Sequence, residues 1–178
     1  MKKLLFVTAL LAMGTMAMGS NLVPNDDNTS AEVEVRANVI DDKFSITDIY
    51  GQPLVLNFKE VMQGDKNVKA SVRYKVSMKD GDKFEGTMAK FKMEILGDTT
   101  DTGAISKNVV ISNTDSTKTT NNKMTVGLGL DNETKYLGAN GTEFQGEVFG
   151  NIAEVHAQQA TGDYVGYATL TATVQEVK

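Results

Sequence analysis

The 178-residue chain contains no cysteine, no tryptophan and a single histidine, His156. Without cysteine it has no disulfide staples, no zinc–thiolate site and no thiol nucleophile. Without tryptophan it lacks the commonest sugar-stacking platform. A Ser-His-Asp triad would have to use His156. Its neighbours Glu154 and Gln158 form no nucleophile motif, and there is no G-x-S-x-G anywhere in the chain. No catalytic residue is assigned. Basic clusters are also missing from a chain of formal charge −5, which argues against nucleic acid and anionic membrane surfaces as partners.

Long apolar runs are scarce too. The one near the start, Leu4 to Met13, is too short for a bilayer-spanning helix of ~20 residues. It follows Lys2-Lys3 and precedes Ala17-Met18-Gly19, the pattern of a cleaved secretory signal covering residues 1–19. Cleavage is placed after Gly19, with Ala17 as the alternative. Loss of Lys2 and Lys3 takes the charge from −5 to about −7. The mature chain of about 160 residues suits one domain with its own core.

What the chain has in abundance is two-residue alternation. In Ala31 to Ile40, Val33, Val35, Ala37 and Val39 fall on one side, and Glu32, Glu34, Arg36 and Asn38 on the other. Asp41-Asp42 reads as a break before the body of the domain. This divides the chain into a signal (1–19), an N-terminal extension (20–42) and a domain (43–178). Val68 to Met78 is the strongest strand signal, followed by Asp80-Gly81, which reads as a hairpin turn. Further strands are expected near Phe44–Tyr50, Leu54–Phe58, Phe84–Leu96, Val109–Ile111, Met124–Leu130 and Phe144–Ile152. Asn140-Gly141 gives another turn signal. Ser112–Lys123 reads as a long surface loop, and Ala153–Ala160 is the one short passage of helix-favouring composition. The chain closes on a strand in which Tyr164, Gly166, Ala168, Leu170, Ala172 and Val174 share a face. Nine or ten strands with turns between them predict an all-β sandwich, with a closed barrel as the structural alternative.

Other constellations carry little chemistry. Asp98–Gly103 and Asn25–Asn28 are rich in oxygen ligands but do not follow the calcium-loop spacing, so no metal is assigned. Gly127-Leu128-Gly129 lacks the third glycine of a nucleotide loop, and no cofactor is expected. Glu143 and Glu147 fall on one strand face, as acidic pairs on sheet surfaces commonly do.

Two stretches resemble a known family. VEVRANVIDDKFSITDIYGQPL is similar to the mature N-terminal region of the alternate-chaperone (class 5, alpha-type) fimbrial subunits, the colonisation-factor pilins. GDYVGYATLTATV is similar to their closing strand. Asp42 stands where those pilins commonly carry proline. The resemblance implies an immunoglobulin-like β-sandwich that lacks its last strand and is completed by a donor strand. Val33, Val35, Ala37 and Val39 would be the donor face. Tyr164, Gly166, Ala168, Leu170, Ala172 and Val174 would line the acceptor groove, with Gly166 leaving room for an incoming side chain. The implied partners are identical or related pilin subunits, a periplasmic chaperone, an outer-membrane usher and, by adhesion, a host-cell receptor. The implied location is the periplasm in transit, then a cell-surface fimbria. The residues alone leave a second reading open, in which 31–40 is the first strand of a self-complete domain. On that reading the protein is a secreted β-sandwich binding module, an adhesin or carbohydrate binder working through loops such as Ser112–Lys123. An isolated chain should leave the segment exposed if it is a donor, and buried between two strands if it pairs at home.

Overall fold

The computed structural model describes residues 29–39, 43–98 and 107–178. The signal, the leader with Asn25–Asn28, the Asp41-Asp42 break and most of Asp98–Gly103 lie outside the described residues. So do the side chains of Ala37 and Val39, although their backbone pairing is defined.

The protein is all-β. Its strands are β1 (Thr29–Val39), β2 (Phe44–Asp48), β3 (Leu54–Val61), β4 (Lys66–Met78), β5 (Met88–Leu96), β6 (Asn108–Asn113), β7 (Lys123–Leu130), β8 (Thr134–Gly138), β9 (Glu143–Glu154) and β10 (Gly162–Val177). The only helical turn among the described residues is a 3₁₀ turn at Lys79–Gly81. Ala153–Ala160 forms no helix: it ends β9 and then turns.

Hydrogen bonding runs β2-β4-β9-β7-β6-β10-β1-β3, and β5 joins β10 to β8. β10 organises this path. Near its start, Tyr164 and Val165 pair with Asn113 and Ser112 of β6. From Thr169 onward the same edge pairs with β5 instead. One strand therefore serves two layers, and the sheet folds back on itself almost to closure, with β3 packed against β4.

Alternation decides which faces meet. Inward residues of both layers form a single core that includes Leu56, Tyr74, Phe91, Met93, Ile111, Ile152 and Leu170. Phe91 is its aromatic centre. Phe44 meets it edge-on at 5.1 Å between centroids, and Phe144 meets it tilted at 4.9 Å, both favourable geometries for aromatic rings.

The turn signals do not behave as expected. Asp80 and Gly81 do turn, with φ of 58° and 74°, but no hairpin results. β4 already has neighbours on both edges, β2 and β9, so β5 has no edge to join. The chain crosses to the other layer and begins β5 at Met88, not Phe84. Asn140-Gly141 likewise links β8 to β9, strands that do not pair with each other. Among the described strands only β6 and β7, joined by the long 114–122 loop, form a hairpin of sequence neighbours.

Candidate functional site: the slot that holds the first strand

β1 lies in the interior of the sheet, not at its edge. It runs parallel to β10 from Thr29↔Gly162 to Val39↔Ala172, and antiparallel to β3 from Thr29↔Val61 to Val35↔Leu54. A bulge between Ser30 and Glu32 adjusts the second register. Within the isolated chain the segment is thus buried between two strands, the outcome expected for pairing at home.

Its small side chains fit this position. Ala31 and Val33 are fully buried and Val35 nearly so. Val33 sits between Leu56 and Gly166, and Val35 between Leu54 and Ala168. Burying each valine contributes ~1.5–2 kcal/mol, and each backbone bond a net ~0.5–1.5 kcal/mol. The outer face is held by polar contacts. Ser30 Oγ donates to Asp163 Oδ1 at 2.6 Å, and Asn57 Nδ2 donates to Glu32 Oε1 at 2.9 Å. The Arg36 guanidinium lies 4.6 Å from the Tyr167 ring centroid, a cation–π contact.

The six expected acceptor residues all face the core along β10. Tyr164, Leu170 and Ala172 are fully buried, Ala168 nearly so, and Val174 partly. Their backbones from Tyr164 to Ala172 pair in register with Ala31 to Val39. Val174 lies beyond that pairing and faces β5 at Phe91.

Gly166 has a different role from the one expected. A Cβ there would come within 2.7 Å of Ile111 Cγ2 and 2.8 Å of Val109 Cγ1. The space beside Gly166 is therefore taken by β6 of the same core, not left for a side chain of the neighbouring strand.

Tyr164 anchors the start of β10. Its hydroxyl donates to the Ala160 carbonyl at 2.6 Å and accepts from Gln159 Nε2 at 2.8 Å. Gln159, itself buried, also donates to the carbonyls of Asn121 and Lys123. The loop before β10 is thereby tied to the 114–122 loop, so Ser112–Lys123 is a braced loop at this end. No sequence pattern had marked Gln159.

The remaining candidates do not converge. His156 is exposed, and its Nδ1 accepts the Gln158 backbone N–H at 3.0 Å within a turn. Asp98 Oδ2 accepts the Val110 N–H at 2.5 Å. Gly127 and Gly129 are strand residues of β7. Glu143 and Glu147 lie on the outer face of β9, where Glu143 accepts from Gln145. Among the described residues no three His, Asp or Glu side chains gather as metal ligands.

No family model matches the chain, and no curated protein matches it.

Proposed function

We propose that the protein is a structural subunit of a surface fimbria, exported through its N-terminal signal and polymerised by donation of β1 to a neighbouring subunit. What supports this reading is the kind of seat β1 fills, although its burial within one chain is the outcome set out above for pairing at home and not the exposure expected of a donor. β1 is a sheet-interior strand at one end of the described chain, connected along the sequence to the rest of the domain by residues 40–42 and held otherwise by noncovalent contacts. Withdrawing it would leave β10 and β3 with unpaired backbone edges around an apolar slot, which a strand from a second copy would refill. A head-to-tail series of such exchanges does not close on itself and gives a fibre. Pairing in cis is then the resting arrangement of a lone subunit. Parallel pairing is slightly less stable per residue than antiparallel pairing, but the β1–β10 ladder is the longer of the two, with eleven register pairs against six for β1–β3, so it is the main ladder an exchange must replace.

The Tyr164–Ala160 hydrogen bond supports the immunoglobulin-like kinship. A tyrosine near the start of a strand, bonded to a carbonyl four residues upstream, resembles the tyrosine corner of those sandwiches, although here it stands on the last described strand. The periplasm, a chaperone and an usher follow from the same reading as the route and partners of assembly.

One observation favours the second reading, a secreted binding module: the chain fills its own slot. The two readings separate on the size of the native material. Protein taken from the cell surface should run as SDS-resistant multimers that collapse to monomer on heating. A soluble monomer with no fibre by electron microscopy supports the binding module instead.

A further inference from the structure

β1 separates β3 from β10. The two strands flank it, so they stand two strand spacings apart, about 9–10 Å. β1 runs parallel to β10 and antiparallel to β3, which makes β3 and β10 antiparallel to each other. With β1 withdrawn, their bare backbone edges would gain by closing together and pairing directly. A slot closed in this way would no longer admit a strand.

At the end where β1 begins, a bridge spans the slot without using any atom of β1. Val61 of β3 and Gly162 of β10 both stand opposite Thr29. From Val61 the chain crosses to β4 through residues 62–65, and it reaches Gly162 from β9 through residues 155–161. β4 and β9 are paired as far as Lys66↔Glu154. The two crossings therefore lie side by side in one layer and diverge to either side of β1 in the other. Hydrogen bonds join them. The Gly64 N–H donates to the Val155 carbonyl at 3.1 Å, and the Val155 N–H donates to the Asp65 carbonyl at 2.8 Å. Nearer the slot, Gln63 Nε2 donates to the Gln159 carbonyl at 2.5 Å. Gln159 is itself fixed. Its buried side chain donates to the carbonyls of Asn121 and Lys123 and to the Tyr164 hydroxyl. The next N–H, that of Ala160, donates to the Asn121 carbonyl at 3.0 Å. The β10 side of the bridge is thus anchored in the 114–122 loop and cannot drift toward β3 without breaking these bonds.

We propose that Gln63 and Gln159 are positioning residues, a strut that holds the slot at the width of one strand while β1 is out. This role rests on the donation reading and deepens it. A subunit in mid-exchange needs a seat that does not close, and a pre-set seat lowers the ordering cost of the strand that enters. The strut sets spacing only; an emptied slot still exposes its apolar floor. With β1 in place the strand itself sets the spacing, and the strut is redundant.

The test uses the full-length chain. Val33→Asp expels β1, and amide exchange then reads the bridge. The Gly64 and Val155 amides should stay within about threefold of their protection in the unsubstituted chain, while the β1 amides lose theirs. A fluorescent peptide of residues 29–39 should bind the Val33→Asp chain saturably. Adding Gln63→Ala should speed exchange at Val155 and weaken the peptide about fivefold. In the chain that keeps Val33, Gln63→Ala should leave the urea midpoint nearly unchanged. A side chain serving general stability alone would lower that midpoint and show no coupling to position 33. Should Val33→Asp fail to fold, the unsubstituted chain in sub-denaturing urea gives the same reading, with β1 amides opening before Gly64 and Val155. Loss of protection at Gly64 and Val155 together with β1, or a Gln63→Ala change that alters neither Val155 exchange nor peptide affinity, overturns the proposal. A bridge that stays protected, and loosens with Gln63→Ala, over a slot that takes up no peptide supports the strut and overturns the donation reading instead.

Discussion

Two tyrosines show how the same group is used in opposite ways. Both are fully buried. The Tyr164 hydroxyl is bonded to Ala160 and Gln159, whereas the Tyr74 hydroxyl has no partner. Burial, followed by the charge of Asp131, pushes the Tyr74 phenol well above its ordinary pKa and keeps it neutral. Removing a bonded hydroxyl strands its partners; removing an orphan strands nothing. Tyr164→Phe should therefore cost ~1–2 kcal/mol in a urea titration, while Tyr74→Phe should be neutral or slightly stabilising. Asp131 gives a pH-dependent counterpart. Burial alone would raise its pKa, but hydrogen bonds from Lys135 and the Glu147 N–H and the Lys135 charge outweigh it, and the net shift is downward. A carboxylate depressed in the folded state contributes stability above its unfolded pKa and loses it as pH falls through the folded value. Asp131→Asn should thus cost ~0.5–1 kcal/mol at neutral pH. Thermal melts should show that cost fading below the ordinary carboxylate range. Neither role was legible beforehand, because alternation says which side chains turn inward and nothing about which hydroxyl finds a carbonyl.

At the scale of the element, alternation located the strands well. Val68–Met78 and the closing strand appear as β4 and β10, and the face holding Tyr164 to Val174 is the core face of β10. Pairing was much less legible. Asp80, Gly81 and Asn140 take the positive φ their residues accept, yet both turns are corners between layers, because the preceding or following strand already has its neighbours. A turn signal is local; partner choice is set by distant strands competing for edges. Gly166 illustrates the same limit, since its neighbours Ile111 and Val109 lie on a strand more than fifty residues earlier in sequence. The consequence for β1 is testable. Val33 is sealed between Leu56 and Gly166, so Val33→Asp buries a charge with no partner. It should cost at least ~3 kcal/mol and expel the strand. Amide exchange would then accelerate in β1 and along the facing edges of β3 and β10 before the β4–β9 ladder is affected.

At the scale of the molecule, the all-β class was readable from strand count and the absence of helix periods. The near-closure of the sheet was expected only as the alternative, a closed barrel, because it depends on β10 changing partners from β6 to β5 along one edge. That change places the last strand of the chain beside the first, and gives the first strand its two-sided seat. The domain's integrity therefore rests on a segment at the opposite end of the sequence from β10, entering parallel to it. The central claim is that β1 is a separable part which any copy can supply. Its most direct test is a chain lacking residues 20–40, titrated with a peptide of residues 29–39 and followed by size-exclusion chromatography and thermal melting. The account predicts a chain that is unfolded or aggregating alone and becomes a folded one-to-one complex when the peptide is added, with a cooperative melt. A truncated chain that folds alone, stays monomeric and ignores the peptide would contradict it.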